Sequence, residues 1–231
     1  MLKAIFFDID DTLYDSTTLA RMARLNSIRA MIDAGLEERN EDKLYSLLQK
    51  IIKKFGSNYP KHYDELLKEL GIPWNPKIVA AGVVAYEHTK FGYLKPFPGV
   101  VPTLIKLKQR YRLGVISNGL AVKQWEKLIN LSLHHFFDVV VTSEEVGYEK
   151  PATEIFEAAM QKLGVAGEEC VMVGDRLDTD VLGGKLAGMR TVWLRRGKYS
   201  RAEPKSEDEK PDAVIYEIVE LPEALVKLSP Q

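Results

Sequence analysis

The sequence predicts an α/β protein whose core is a Rossmann-like parallel sheet with helices on both faces, together with an inserted four-helix cap. Three observations support this prediction. Short apolar runs recur along the chain, helix-length amphipathic segments separate most of them, and one long stretch after the first run is helical throughout.

Each predicted strand is a short apolar run, which is typical of a strand buried on both faces of a parallel sheet. The first run, Ala4–Phe7, ends where Asp8 begins an acidic segment. The later runs, in chain order, are residues 112–116, 137–141, 171–173, 191–194 and, as a sixth candidate, Ala213–Ile215. The helices predicted between them are residues 100–109, 122–131, 153–163 and 179–187. This alternation indicates parallel strands joined by right-handed crossovers.

The stretch from residue 16 to residue 94 breaks the alternation. Ser16 or Thr17 can cap a helix that runs to about residue 34, and Glu41–Phe55 is predicted as a second helix. Residues 62–70 and 76–88 supply two more, separated by glycine and proline. We therefore predict two domains, a sheet-containing core at residues 1–15 and 95–231 and a helical insertion at residues 16–94.

Length, charge and cysteine content limit the functional classes. A chain of 231 residues can bury a core and carry a second, smaller unit. The formal net charge of −1 provides no basic field for nucleic acid or for an anionic membrane surface. Cys170 is the single cysteine, which excludes an internal disulfide and favours a reducing compartment. We expect a cytoplasmic protein that binds neither nucleic acid nor membranes.

Carboxylates follow two of the predicted strands. Asp8 and Asp10 come directly after the first strand, where open parallel sheets bind their ligands. Gly174 and Asp175 follow the strand at 171–173, and Asp180 falls in the first turn of the next helix. Like charges packed at about 4 Å repel by roughly 1 kcal/mol in water and about 4 kcal/mol near a protein surface, and a cation offsets that cost. Because magnesium prefers oxygen ligands, we predict that the two acidic strand ends share a magnesium ion.

Each acidic group also has a simpler interpretation. The first is compatible with an acidic turn after an edge strand. Acids at a helix N-terminus complement the helix dipole, which is the role we expect for Asp178.

Two further segments carry groups suited to a phosphate. Ser117 and Asn118 follow the second core strand, where a hydroxyl and free backbone amides can hold phosphate oxygens. Lys150 precedes Pro151 at the start of a helix and can place one positive charge near the strand ends. Taken singly, each is also compatible with an ordinary turn or a solvated lysine.

Taken together, these segments resemble a known family. In chain order, Asp8-x-Asp10-x-Thr12, Ser117-Asn118, Lys150-Pro151 and Gly174-Asp175 with Asp180 resemble the four motifs of the haloacid dehalogenase-like hydrolase superfamily. The resemblance covers the whole core, and the insertion resembles that superfamily's all-helical cap. Residues 86–91, 122–128 and 172–175 further resemble an archaeal subgroup described as glyceraldehyde 3-phosphate phosphatases.

The resemblance implies a Mg²⁺-dependent phosphatase of a small phosphorylated metabolite, such as a sugar or triose phosphate, acting as a monomer or homodimer. It implies that Asp8 is the nucleophile and Asp10 the general acid and base. Ser117, Asn118 and Lys150 would bind the phosphoryl group. Asp8, the backbone carbonyl of Asp10, and Asp175 would ligate the metal. Asp180 would support the metal site without contacting the ion directly.

A charge count independently favours a metal. The carboxylates of Asp8, Asp10, Asp175 and Asp180 bring four negative charges against one positive charge from Lys150. A phosphate dianion could not approach such a site without a divalent cation.

Three other functions share parts of this pattern. A 2-haloacid dehalogenase uses an aspartate nucleophile but needs neither a metal nor Asp10. A phosphomutase shares all four motifs, and nothing in residues 16–94 shows the group that would exclude water during reorientation of the substrate. A receiver-type phospho-aspartate switch carries its acceptor aspartate after the third strand, where this chain has Thr142, Ser143 and Glu144.

The cap is expected to select the substrate, with polar candidates at Arg21, Arg24, Asn58, Tyr59 and His62.

Overall fold

The computed structural model describes residues 1 to 228, which form two compact units. One consists of Met1–Thr17 and the described residues from Leu94 onward, and the other is Thr18–Tyr93. Among the described residues no helix is long and apolar enough to cross a membrane.

The first unit contains a six-stranded sheet in which every neighbouring pair is parallel. Its strands are Ala4–Phe7 (β1), Arg112–Ser117 (β2), Val139–Thr142 (β3), Cys170–Gly174 (β4), Arg190–Leu194 (β5) and Ala213–Ile215 (β6). Their order across the sheet is β3-β2-β1-β4-β5-β6. β1 therefore lies between β2 and β4, and Phe7 pairs with Val115 on one side and Val173 on the other. The predicted α/β fold is confirmed, and the acidic ends of β1 and β4 are neighbours.

Helices connect the strands of this unit, and one more helix follows the last strand. They are Val100–Lys108 (α5), Ala121–Asn130 (α6), Ser143–Val146 (α7), Thr153–Leu163 (α8), Leu182–Leu186 (α9) and Leu221–Leu228 (α10). Phe6, Phe156 and Met172 pack in one buried cluster between sheet and helix. Cys170 belongs to that cluster, and burial raises the pKa of its thiol to about 12, so it is a small core residue rather than a nucleophile.

Several predicted bounds differ from the structure. The third strand begins at Val139 rather than residue 137, because His134–Phe136 forms a 3₁₀ turn before it and the Phe137 ring packs edge-on against Phe7. The helix expected from residue 179 is divided into a π-helical turn, Leu177–Val181, and the short helix α9. The short helix α7 and the helix α10 were not predicted.

The second unit is built by the four helices that the sequence predicts in the insertion. Their bounds are Ser16–Asp33 (α1), Glu41–Phe55 (α2), His62–Glu69 (α3) and Pro76–Tyr93 (α4), with the first two residues of α1 belonging to the sheet-containing unit. Ile28, Leu44, Leu66 and Ile78 pack in its apolar core. A cavity of about 190 Å³ lies within it and is lined in part by Arg24, Tyr59 and His62.

Candidate active site

Three buried carboxylates meet at the carboxyl ends of β1 and β4. Asp8 follows β1, and its backbone N–H donates to the carbonyl of Val173 on β4 at 3.0 Å. Asp175 directly follows β4, and Asp180 lies in the π-helical turn beyond it. Each of the three offers a carboxylate oxygen, and these oxygens lie within 4.8 Å of one another. The sheet register alone brings Asp8 and Asp175 together, because paired parallel strands end at the same edge.

Lys150 joins two of these carboxylates. Its Nζ donates to Asp8 Oδ1 and to Asp180 Oδ1, each at 2.6 Å, and to the backbone carbonyl of Ile116 at 2.9 Å. Its side chain is only 3% exposed. Burial by itself lowers the pKa of this lysine, but Asp180 and Asp8 more than compensate and raise it above the usual range, so the group stays charged.

Asn118 holds the backbone of Lys150. Its side-chain oxygen accepts from the Lys150 N–H at 2.7 Å, and its side-chain nitrogen donates to the Lys150 carbonyl at 3.2 Å. The hydroxyl of the neighbouring Ser117 lies at the end of β2 and is buried. The structure thus brings the predicted phosphate-binding residues Ser117, Asn118 and Lys150 to one edge of the sheet, but the amide of Asn118 contacts Lys150.

Gly174 makes room for Asp180. A Cβ atom at residue 174 would lie 2.2 Å from Asp180 Oδ2, closer than any side chain could tolerate. The same oxygen accepts the backbone N–H of Arg176 at 3.1 Å. Asp180 is therefore held from both ends, by Arg176 on Oδ2 and by Lys150 on Oδ1.

Burial and mutual repulsion disfavour the ionised carboxylates. Burial, opposed by Lys150 and reinforced by Asp180 and Asp10, raises the pKa of Asp8 to about 6. Burial, with Asp180 and Asp8 close by, raises the pKa of Asp175 to about 9. One buried lysine does not neutralise three carboxylates. A small divalent cation with oxygen ligands fits this set, since it supplies the missing positive charge.

Asp10 lies outside the group of three carboxylates. Its Oδ1 accepts from the Tyr14 hydroxyl at 2.6 Å, and Lys127 Nζ on α6 contacts both carboxylate oxygens, at 2.9 and 2.6 Å. Neither Tyr14 nor Lys127 was predicted from the sequence. Lys127 is one of several lysines on amphipathic helices, and no pattern distinguishes it from the others.

Two more aspartates near the site have structural contacts. Asp11 adopts a left-handed backbone conformation with φ of 54° and accepts from Ser16 Oγ and from Thr17 N, each at 2.9 Å. The sequence predicted Ser16 or Thr17 as the cap of α1. In the structure both residues instead donate to Asp11, whose carboxylate accepts the Thr17 N–H in the first turn of the helix. Asp178 is exposed and forms a two-pronged ion pair with Arg176, at 2.9 and 2.7 Å.

The buried carboxylates should make the stability of the metal-free protein depend on pH. Because the pKa of Asp175 is raised, the folded protein keeps a proton on this carboxyl up to about pH 9, whereas the unfolded chain loses it at about pH 4. Stability should therefore fall as pH rises through that window. We expect the apparent Tm in chelator to decrease from acidic to alkaline pH, and Mg²⁺ to raise it by about 5 °C at alkaline pH and by less at acidic pH.

Thermal denaturation followed by fluorescence, with and without Mg²⁺ across this pH range, measures the effect. Asp175→Asn should remove much of the pH dependence, whereas the exposed Asp178→Asn should leave it unchanged. A metal-free Tm that rises with pH would contradict the prediction.

Comparisons with known proteins identify the family of this chain. A family model described as haloacid dehalogenase-like hydrolase matches residues 2–188. The glyceraldehyde 3-phosphate phosphatase of Methanopyrus kandleri is 56% identical over 217 residues, covering 93% of each chain. The crystal structure of a HAD phosphatase from Thermococcus onnurineus is 27% identical, covers 97% of this chain and 98% of its own, and has a TM-score of 0.68.

A magnesium-bound structure of the HAD-hydrolase YfnB from Bacillus subtilis has the same fold. It is 23% identical, covers 97% of this chain and 98% of its own, and has a TM-score of 0.67. At that level of identity the likeness concerns the fold alone.

Proposed function

Because this chain belongs to the haloacid dehalogenase-like hydrolase family and is a phosphatase, we propose that it hydrolyses a small phosphate ester with Mg²⁺ through an aspartyl-phosphate on Asp8. One observation carries the proposal most directly. Asp8 is buried at the end of β1, within one group of carboxylates that includes Asp175, and its Oδ1 is held by Lys150.

The proposed first step transfers the phosphoryl group to the protein. A carboxylate oxygen of Asp8 attacks phosphorus, and the bond between phosphorus and the ester oxygen breaks. Asp10 donates a proton to the departing oxygen, which leaves as an alcohol. Lys150 holds Asp8 by the 2.6 Å contact, and the buried Ser117 hydroxyl at the end of β2 binds a phosphoryl oxygen.

The second step releases phosphate. Asp10, now a carboxylate, takes a proton from water, and the resulting hydroxide attacks phosphorus. The bond between phosphorus and Asp8 breaks, giving inorganic phosphate and the original carboxylate. The two proton transfers on Asp10 cancel, so the protein is unchanged after one turnover.

We propose that Asp8, Asp175 and the backbone carbonyl of Asp10 hold the Mg²⁺, while Asp180 supports the site through Lys150 and the Arg176 amide. When bound, the ion supplies the positive charge that lets a phosphate dianion enter this acidic site. Asn118 acts through the backbone of Lys150, which it holds in position.

The proposed substrate is glyceraldehyde 3-phosphate. The support for it is the 56% identity, over 93% of each chain, to the phosphatase of that name from Methanopyrus kandleri. A single phosphate on a small molecule also suits a site with one buried lysine.

A panel of phosphate esters assayed for released inorganic phosphate tests this proposal. We expect glyceraldehyde 3-phosphate to give a higher kcat/KM than hexose phosphates and phosphopeptides.

We also expect a chelator to lower activity by about a thousandfold or more, with recovery on adding Mg²⁺. Hydrolysis that continues undiminished in chelator would refute the metal requirement. Transfer of the phosphoryl group between sugar positions, without phosphate release, would indicate a mutase.

A further inference from the structure

The Asp10 carboxylate is held by side chains from two distant parts of the chain. Tyr14 donates its hydroxyl to Oδ1 at 2.6 Å, and Lys127 contacts both oxygens, at 2.9 and 2.6 Å, across 117 residues of sequence. Tyr14 is buried, and its backbone forms isolated β-bridges with Asp10 and with Pro96. Three contacts on two oxygens fix the rotation of the carboxylate about its side-chain bonds.

Lys127 comes from a helix that is anchored beside the phosphate-binding residues. At the start of α6, Ala121 N–H donates to Glu144 at 2.7 Å, and the buried Gln124 donates to the carbonyl of Asn118 at 2.9 Å. Leu128, next to Lys127, is fully buried. Because α6 is bound to the loop that follows Ser117, Lys127 has a defined position relative to the end of β2.

The contact is poorly suited to stabilising the fold. The Lys127 and Asp10 side chains are 22% and 41% exposed, and solvent screening at this partly buried position limits what the ion pair adds to folding stability. Lys123, on the same helix, instead pairs with Glu126 three residues later. The long-range contact of Lys127 constrains Asp10, a residue whose position matters for chemistry.

We propose that Lys127 is a positioning residue. With Tyr14, it holds the Asp10 side chain where the protonated acid delivers a proton to the leaving oxygen and the carboxylate later takes one from water. This inference rests on the proposed function, in which Asp10 is the acid and base. After Asp10 has given up its proton, the carboxylate that remains is the form that accepts hydrogen bonds from Lys127 and Tyr14. The proton passes only between Asp10 and the reacting oxygens, so Lys127 keeps its own.

The leaving group provides the test, because an alkoxide needs a proton to depart and 4-nitrophenolate does not. For Lys127→Met we expect kcat/KM for glyceraldehyde 3-phosphate, whose leaving group is an alkoxide, to fall about 10- to 100-fold. For 4-nitrophenyl phosphate, kcat/KM reports phosphoryl transfer to Asp8 and not the later hydrolysis, and it should fall less than about threefold. KM for glyceraldehyde 3-phosphate should not rise. Lys127→Arg should recover most of the loss, and Lys123→Met should match the wild type on both esters.

A double-mutant cycle tests whether Lys127 acts through Asp10. In an Asp10→Asn background, Lys127→Met should have almost no further effect on the hydrolysis of glyceraldehyde 3-phosphate. Circular dichroism and thermal melts establish that each variant is folded. Equal losses on the two esters, a loss expressed only in KM, or additive effects in the cycle would overturn the inference.

The positioning role of Lys127 and the proposed function can be disproved separately. If the wild type hydrolyses phosphate esters and Lys127→Met behaves like Lys123→Met, the positioning role is wrong and the proposed function stands. If the wild type releases phosphate from no ester with Mg²⁺ present, the proposed function is wrong, and the inference is wrong with it.

Discussion

We expect replacement of Asp8 by asparagine to abolish phosphate release, with kcat reduced by a factor on the order of 10⁵. The amide has the same shape as the carboxylate but lacks the negative oxygen that attacks phosphorus. Its oxygen can still accept the hydrogen bond that Lys150 donates at 2.6 Å, so the local structure should persist. The substitution also removes one of three buried, mutually repelling carboxylates, and we expect the Tm in chelator to stay equal or to rise.

Steady-state release of inorganic phosphate and thermal melts of the same samples measure both effects. Asp178→Asn is the matched control, because Asp178 is an exposed aspartate that pairs with Arg176. It should retain most of the wild-type activity. Phosphate release by Asp8→Asn at a rate near that of Asp178→Asn would mean that Asp8 is not the nucleophile.

Lys150→Met should cost both stability and activity. The substitution leaves Asp8 and Asp180 buried without their shared cation, and breaking a buried ion pair in this way typically costs about 3–5 kcal/mol. For a chain of this size that corresponds to a Tm lower by about 10 °C in chelator. Activity should fall by about a thousandfold, because Asp8 loses its positioning contact and the phosphoryl group loses a positive charge.

Thermal melts with and without Mg²⁺, together with phosphate release, measure these effects. Mg²⁺ should stabilise Lys150→Met by more than it stabilises the wild type, since it then supplies the only strong positive charge among the carboxylates. Lys162→Met, at an exposed lysine near the end of α8, is the control and should change neither quantity. An unchanged Tm for Lys150→Met would argue against the buried contacts.

The strands could be predicted from local sequence, and their acidic edge from the rule that parallel strands place their carboxyl ends at the same edge of a sheet. Apolar runs such as Ala4–Phe7 end directly at a carboxylate, and the register of parallel strands then brings Asp8 and Asp175 to one edge. Four helices in the insertion were also predicted from local sequence, because the segments between them contain glycine or proline.

The contacts that were missed depend on distance in the fold. Lys127 meets Asp10 only because α6 packs beside the end of β2, and its sequence context is that of an ordinary amphipathic helix. Asn118 was predicted to bind phosphate because it follows a strand, yet its amide is occupied by the Lys150 backbone 32 residues away. The π-helical turn at Leu177–Val181 was missed because helical periodicity does not distinguish it from the first turn of an α-helix.

The close approach of Asp180 to Gly174 has a consequence for protein design. The space that a methyl group would fill at residue 174 is taken by a carboxylate, which in turn binds the buried lysine. An engineer who transplanted only the charged side chains onto another parallel sheet would lose this arrangement. The graft would need the bare backbone of the glycine as much as it needs the lysine and the acids.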